Sequence, residues 1–590
     1  MKPLLDGVIE AVRQAGAMIR AEFHRPGGPR GSGDKAAIDV EVERFLRDRL
    51  LELDGDCSLR GEELGELCNP RHPKRWWVID PQDGTAAFLA GYRGSSVAVA
   101  LIEDREPVLG VVFSPTYPDD RGDLISWARG QQLQRWPGPL VRPPHSVTLI
   151  SQAGDENVEA NLDCLDGGRY RTMPSVAYRF ALVAAGEGTA GVSLSPTQAH
   201  DYAACHALLR AAGLELYNQD GQVVSYDTQA RSRSGWLFAG RQELSRRPWT
   251  TVFQTRPNQS PLPYPVRAHH RVSDPDRLSR LQGAMLGQLV GDSLGSQTEF
   301  STPQQIARDF PDGPGRPVDG KGPFSLLAGQ PTDDSEMALC LARALIGGTT
   351  ASLAYQYWYE SRPFDIGRTT YSALKLGLVS VDSQANGSLM RCSPLALAYR
   401  GDQLGQQARL DSALTHANPL CGECCAAYLT ALAAGLEGAN PAQALDQAYG
   451  VADYPVRELL DAALVGPPPT YLHQAGWIKI AFHNAFYQLM SGRPLMEALV
   501  DTARQGGDAD TNAAIAGALL GAFGGRQAVA PGWLSAVLTS RAHSKASGIV
   551  HPRPRFLWPC DVLELAEQLD GHSRSDTCLQ NGNPSARAAT

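Results

Sequence analysis

Over its first 245 or so residues the chain alternates between two hydrophobic periods. The opening MKPLLDGVIEAVRQAG places apolar residues on one side of a helical repeat with acids between them, which predicts an amphipathic helix. The runs RWWVIDP, SSVAVALIE and PVLGVVFSP, separated by turn residues, read instead as strands. From about residue 276 the texture changes. RLQGAMLGQLVGDSLG, TALAAGLEG and AAIAGALLGAFGG are rich in Ala, Leu and Gly with almost no period-two alternation, which predicts an all-helical region. Their glycines do not recur at a fixed period, so no solenoid is expected. Between the two textures lies RRPWTTVFQTRPNQSPLPYPVRAHHR, whose Pro248, Pro257, Pro261, Pro263 and Pro265 disfavour helix and favour an extended connector. The expected organisation is an α/β domain over 1–245, a Pro-rich linker over 246–275 and an all-α domain over 276–570. A small-residue, polar tail at 571–590 has little to bury and is expected to be disordered.

Length agrees with this division, because 590 residues exceed what one hydrophobic core organises. With 43% hydrophobic and 20% charged residues, and no apolar run near the roughly 18 that span a bilayer, a soluble protein without a membrane partner is expected. The acidic N-terminal helix is unlike a secretory signal, which points to the cytoplasm. Eleven cysteines without framework spacing fit reduced thiols there. The cluster CGECC (Cys421, Cys424, Cys425) lacks the second Cys or His pair of a structural zinc site and runs on into a helical pattern. A formal net charge of −9 offers no basic footprint for nucleic acid.

Chemistry concentrates in two acidic constellations. The first is GEE at 61–63 with DPQDGT at 80–85, carboxylates near strand ends where loops display side chains. Taken alone, Asp-Pro-x-Asp-Gly is a turn. As a set, Asp80, Asp83 and a backbone carbonyl are hard oxygen donors of the kind that suit Mg²⁺ completed by a substrate phosphate. DKAAIDVEVERFL, GEE, WVIDPQDGTAAF and QAHDYAACHALLRAAG, in that order over about 1–235, resemble the motif set of the inositol monophosphatase superfamily of Mg²⁺-dependent phosphatases. The resemblance implies a layered α/β sugar-phosphatase-like fold and two or more Mg²⁺ ions. It makes Glu62, Asp80, Asp83, Asp201 and the carbonyl of Gln82 metal ligands, with Glu63 beside them. Asp39 and Thr85 would pair to orient the attacking water, and Gly84 with Thr85 would face the substrate phosphate. Gln82 stands where the family often has Ile or Leu, with little harm expected because the backbone is the ligand. His200 replaces an aromatic residue, which changes the pocket wall. VAVALIEDREPVLGVVFSP looks more like the 3′(2′),5′-bisphosphate nucleotidase branch, which leans the substrate towards a nucleotide or sugar phosphate.

The second constellation opens with AGQPTDDSEMALCLARALI. Thr332, Asp333, Asp334 and Ser335 head a helix whose Met337, Cys340, Leu341, Ala344 and Leu345 mark a buried face. One such cluster is an ordinary helix cap, in which acids in the first turn contribute roughly 0.3 to 1 kcal/mol each. QGGDADTNAAIAGALLGAFGG repeats the pattern with Asp508, Asp510 and Thr511, and a helical bundle could bring the two clusters together around divalent cations. With GAMLGQLVGDSLGSQTEF, NGSLMRCSPLALAY, THANP and GWIKIAFHNAFYQL, over about 277–565, these stretches resemble the ADP-ribosylglycohydrolase family. That resemblance implies an all-helical fold with two Mg²⁺ ions held by Thr332, Asp333, Asp334, Asp508, Asp510 and Thr511. Glu299 falls where an acidic residue covers the substrate ribose and is the candidate catalytic helper, with Asp333 or Asp510 as alternatives. Ser383, Asn386, Gly387, Met390 and His416 fall in segments that line the ADP-ribose pocket. Asp292 reads as a helix and turn residue. Ala385 stands in place of the family's usual Gly.

The expected whole is a bifunctional Mg²⁺-dependent hydrolase: a phosphomonoesterase fused to an enzyme that cleaves an N-glycosidic ADP-ribosyl bond. Its partners would be small-molecule phosphates and ADP-ribosyl compounds, with an ADP-ribosylated protein as one form of the latter. A small-molecule ribosyl-processing enzyme, or one domain acting as a silent ADP-ribose or phosphate binder, are the alternatives.

Overall fold

The computed structural model describes residues 1–140, 145–251, 262–264 and 271–570. Most of the expected linker, and the whole of the expected tail at 571–590, lie outside the described residues. The chain falls into two compact units, residues 1–256 with 545–547 and residues 257–544 with 548–590.

The first unit is layered. Helices α1 (Lys2–Phe23) and α2 (Ala37–Leu53) cover one face of a seven-stranded sheet. Its strands are β1 (Ser58–Gly61), β2 (Glu66–Leu67), β3 (Arg75–Asp83), β4 (Ser96–Glu103), β5 (Glu106–Ser114), β6 (Asp123–Ala128) and β7 (Gln134–Trp136), in the order β2-β1-β3-β4-β5-β6-β7. Only the β1–β3 pair is parallel. The short α3 (Thr85–Leu89) follows β3, while α4 (Val176–Ala184) and α5 (Ala199–Ala211) cover the other face. Beyond them lies a five-stranded sheet of β8 (Val147–Ile150), β9 (Arg169–Thr172), β10 (Ala190–Ser193), β11 (Leu216–Asn218) and β12 (Leu237–Ala239), in the order β9-β8-β10-β12-β11.

Because alternate side chains leave a strand on opposite faces, a sheet covered on both sides needs apolar residues at every position. Along β4, Val97, Val99 and Leu101 enter the core beneath α1 and α2, and Ala98, Ala100 and Ile102 enter the core beneath α4 and α5. Gly110 of β5 sets how near α5 comes. A Cβ there would lie 2.3 Å from the Ala204 carbonyl oxygen, so the missing side chain lets α5, which carries Asp201 in its first turn, press onto the sheet.

Among the described residues the second unit is built of helices with isolated bridges, as the sequence texture predicts. Its central pair is α6 (Pro275–Gly295) and α10 (Ala509–Gly524), flanked by α7 (Asp333–Gly347), α8 (Pro419–Leu436) and α9 (Ile478–Met490). The glycines of α6 do have a spacing, four residues, within this one helix. A Cβ at Gly283, Gly287, Gly291 or Gly295 would lie 2.0 to 2.4 Å from a carbonyl oxygen of α10. Gly517 and Gly521 answer them from α10, so the two backbones touch directly. Only glycine permits that contact.

One expectation is corrected here. Helix α8 has 18 residues of mean hydropathy 1.3, long and apolar enough to cross a bilayer, whereas no such run was anticipated. It is 67% buried inside the unit, which gives its composition a packing role. Cys421, Cys424 and Cys425 lie on it, all buried, and the Cys421 Sγ faces the carbonyls of Ser383 and Ala385 at 3.7 and 3.6 Å. No disulfide forms among the described residues, and no metal-type grouping there includes these thiols.

Two candidate metal centres

The first centre forms where β3 loses register with β4 between Asp80 and Asp83. Pro81 has no N–H to give a ladder, and Gly84 turns the chain at φ +91, a conformation that costs an L side chain strain. The bulge turns Asp80 and Asp83 toward Asp201 on α5, and one oxygen from each of the three lies within 4.8 Å of the others. The Asp80 Oδ1 accepts the Gln82 N–H at 3.0 Å, while its Oδ2 is buried without a hydrogen-bond partner. The Asp83 Oδ2 accepts the Ser175 hydroxyl and the Ala177 N–H, both at 2.6 Å, so the start of α4 fixes it. Asp201 accepts the Gln198 N–H at 2.6 Å.

Thr85 donates to the Gln82 carbonyl at 2.8 Å, and its hydroxyl lies 3.4 Å from the Asp39 Oδ2. Asp39 accepts the Ala36 N–H at 3.2 Å, and its Oδ1 is buried without a partner. The Gln82 side chain differs from expectation. Its amide is buried with both polar atoms unpartnered, a desolvation cost that an apolar side chain at this position would not carry.

Burial pushes Asp39 up to about 7 and Asp83 and Asp201 up to about 6, and it holds Asp80 well above the ordinary carboxylate range, with the charges of Glu62, Asp83 and Asp201 adding to it. Glu62 as a residue is exposed, but its carboxyl reaches Asp80; desolvation of that group, then the charges of Asp201, Asp83 and Glu63, push it up to about 8. Burial holds His200 down at about 4, so the ring beside Asp201 is neutral at pH 7.

The second centre forms at two helix starts. Thr332 is the N-cap position of α7 and Asp508 that of α10, yet neither side chain caps its own helix. Capping of α7 comes from α6. Asp292, fully buried, accepts the Thr332 N–H at 3.2 Å, the Ser335 N–H at 3.1 Å and the Thr332 hydroxyl at 2.9 Å. Asp333 and Asp334 are thereby spared that task and face the cluster.

One oxygen each from Glu299, Asp508 and Asp510 lies within 4.8 Å of the others. Asp334 contacts Thr511 and feels Asp508, and Asp510 feels Glu299 and Asp334, so the two helix starts do converge. The Glu299 Oε2 and the Asp334 Oδ1 are buried without partners. Burial first, then the charge of Asp365, pushes Glu299 up to about 9; the same two causes hold Asp333 well above its ordinary value.

Of the five expected pocket residues, Asn386 joins the cluster directly, donating to the Asp508 Oδ2 at 2.7 Å. Ser383 pairs its hydroxyl with Thr369 at 2.8 Å. Met390 is buried, and its carbonyl accepts from the Gln288 side chain at 2.9 Å. Gly387 lies against His416, since a Cβ there would come 2.9 Å from the ring. His416 is buried, held down at about 3 by burial and by Arg391 so that its ring is neutral at pH 7, and bonded to the Thr415 hydroxyl at 2.8 Å. Ala385 is extended at φ −72 and ψ 155, which any residue adopts, so the family's usual Gly is not needed there.

The model of the ADP-ribosylglycohydrolase family matches residues 273–574, just over half of the chain. The chain belongs to the ADP-ribosylglycohydrolase family. The inositol monophosphatase family model matches residues 1–247, so the family member carries a second hydrolase-family domain ahead of the first. Over the ADP-ribosylglycohydrolase part, the ADP-ribosyl-[dinitrogen reductase] glycohydrolase of Rhodospirillum rubrum is 31% identical over 45% of this chain and 92% of its own length. The ADP-ribosylarginine hydrolase Tri1 of Pseudomonas putida is 28% identical over 48% of this chain and 81% of its own. Over the other part, the 3′(2′),5′-bisphosphate nucleotidase CysQ of Escherichia coli is 29% identical over 38% of this chain and 94% of its own.

Sequence reasoning missed three positioning groups. Asp365, in the loop SRPFDIG, joins the ADP-ribosylglycohydrolase cluster through Asp333, but nothing in its spacing ties it to either helix start. Ser175 holds Asp83 from 92 positions away. Glu43 accepts the N–H groups of Glu63 at 2.6 Å and Leu64 at 3.1 Å, fixing the Glu62–Glu63 loop; its place four residues after Asp39 on one helix face was the available signal.

Proposed function

We propose that the chain is a bifunctional Mg²⁺-dependent hydrolase of reduced, cytoplasmic surroundings. Its first unit would release phosphate from a nucleotide or sugar phosphate, with a 3′,5′-bisphosphate nucleotide as the first substrate to try. Its second would cleave an N-glycosidic ADP-ribosyl bond. The observation that carries this reading is the pair of acid clusters with orphaned oxygens: the Asp80 Oδ2 in one, the Glu299 Oε2 and Asp334 Oδ1 in the other. A buried carboxylate oxygen without a donor is costly, and a hard divalent cation relieves that cost and the mutual repulsion together.

Glu62, Asp80, Asp83, Asp201 and the Gln82 carbonyl would hold Mg²⁺ in the first unit; Thr332, Asp333, Asp334, Asp508, Asp510 and Thr511 would hold it in the second. When bound, Mg²⁺ supplies positive charge that stabilises a leaving oxygen and makes water easier to ionise. Asp39, whose Oδ2 lies 3.4 Å from the Thr85 hydroxyl, presents its unpartnered Oδ1 as the acceptor for the proton of the attacking water. Gly84, without a side chain, leaves room for the phosphate. In the second unit Glu299, ionised once a bound cation offsets the charge of its acidic neighbours, would take the corresponding proton at its Oε2, with Asp333 or Asp510 as alternatives, and Asn386 steadies Asp508. Support for an N-linked substrate comes from the relatives, whose names state an ADP-ribosyl-[dinitrogen reductase] and an ADP-ribosylarginine as what they act on.

The test is one Mg²⁺-dependent assay of the full chain on 3′,5′-bisphosphate nucleotides, ADP-ribose phosphates and ADP-ribosyl-arginine. Asp80→Asn should remove the phosphate release alone, and Asp333→Asn the ADP-ribose release alone. Retention of both activities in both variants would sink the assignment.

A further inference from the structure

Outside the acid cluster of the second unit stands a group of four rings that the metal chemistry does not use. Phe300 follows Glu299, and Phe364 precedes Asp365, so two of the rings are chain neighbours of two of the acids. Phe300 is 69% exposed although Glu299 beside it is 4% exposed. Its backbone sits at φ +59, outside the range a Phe ordinarily adopts, and its N–H is pinned to the Gly507 carbonyl at 2.8 Å next to Asp508. That conformation sends the acid inward and the ring to solvent. The Phe300 ring meets Phe324 edge-on at 6.5 Å, Phe324 meets Phe364 at 5.3 Å, and Phe364 stacks on His551 at 4.5 Å with 24° between the planes.

An exposed ring joined to a buried acid cluster, and backed by partly buried rings, is placed to meet a ligand. The faces of Phe rings carry negative charge density, so the matching occupant is a flat cation. A compact ammonium would lose hydration on such a wall, whereas a guanidinium is planar, weakly hydrated and stacks on aromatic faces. Among the described residues no Lys or Arg occupies these rings; the nearby Lys321 lies over Phe310 instead, at 5.7 Å.

We infer that Phe300, backed by Phe324 and Phe364, is the platform for a guanidinium on the leaving-group side of the pocket and sets the preference for that group over neutral leaving groups. The role rests on the hydrolase reading of the second unit, but the binding does not.

The experiment uses the full chain with Mg²⁺ and ligand-observed NMR, with propylguanidinium as probe and propylurea as its neutral isostere. Wild type should bind the guanidinium in preference to the urea. Phe300→Ala should weaken guanidinium binding about three- to tenfold, and Phe300→Tyr, which keeps the ring, should stay within about twofold. In parallel, hydrolysis of ADP-ribosyl-arginine and of O-acetyl-ADP-ribose is followed in the same proteins; Phe300→Ala should raise the KM for the first and leave that for the second. Equal binding of the two probes by wild type, or guanidinium binding untouched in Phe300→Ala, overturns the inference whatever the turnover. Guanidinium binding that depends on Phe300 in a protein that hydrolyses no ADP-ribosyl compound keeps the platform and overturns the hydrolase reading instead.

Discussion

The two acid clusters solve one problem by different means. In the first unit, the acids sit on a broken strand end and on a helix more than a hundred positions away, and the sheet brings them together. In the second, they sit at the starts of α7 and α10 and just past the end of α6, and they converge because α6 touches α10 through glycine and holds the start of α7 through Asp292. The first cluster is therefore tuned by what packs on the sheet, through Ser175 and Glu43, and the second by how closely two helices approach, through Gly287 and Asp292. Carboxylates gathered in a protein interior repel, so each site needs a rigid frame to hold them.

The sharpest way to break the comparison is at the glycine seam. A Cβ at Gly287 would lie 2.0 Å from the Gly517 carbonyl oxygen, so Gly287→Ala should destabilise the second unit by roughly 1–3 kcal/mol and Gly287→Leu by more. Gly287→Leu should abolish ADP-ribose release and spare phosphate release, as read by activity and by a separate thermal transition. If both activities fall together, the units do not fold as independently as the comparison supposes.

Removing a single acid should be nearly as harmful but more local. Asp80→Asn and Asp510→Asn should each lower one activity by at least about 10²-fold and leave the other within about twofold. The supporting hydrogen bonds come next. Ser175→Ala, which frees Asp83, and Asp292→Asn, which loosens the start of α7, should each cost about 10- to 100-fold in Mg²⁺ affinity or activity of their own unit. Titration of each activity with Mg²⁺ reads this directly, because a weakened frame moves the half-saturating concentration and a bystander does not.

The last contrast is in stability against pH. Freed of divalent ions, the folded chain keeps protons on Asp83 and Asp201 up to about 6, on Glu62 up to about 8 and on Glu299 up to about 9. The unfolded chain gives these protons up near pH 4. The folded state thus binds more protons across that interval, and metal-free stability falls as pH rises from about 4 to about 9. Excess Mg²⁺ should flatten the slope, more in the second unit, where the shift reaches higher. A metal-free unfolding temperature that climbs across this range would contradict the burial of these groups.

How much of this was legible beforehand differs between the units for a physical reason. Acids adjacent in sequence, such as Asp80 with Asp83 or Asp333 with Asp334, announce themselves, because a turn or a helix start displays them together. Asp365 does not, since a lone Asp in a loop looks like any solvated one until Asp333 is found against it. The cost at Gln82 was not legible either, because only the packed interior shows that its amide has no partner. The stretch of α8 was read as helical, but its apolar length was passed over because its single acid interrupts a run that the interior absorbs.

Period-two and helical hydrophobic patterns, together with the adjacent acids, determined from sequence alone that there is an α/β unit and an all-α unit, each with an acidic constellation; that the first is layered came from the family resemblance. Those are local properties, written within a few residues of one another. Tertiary structure alone decided which distant groups hold those acids, that Asp292 rather than Thr332 caps α7, and that Phe300 faces outward beside an inward Glu299. Such contacts depend on how near two backbones come, and a one-dimensional spacing does not carry that distance.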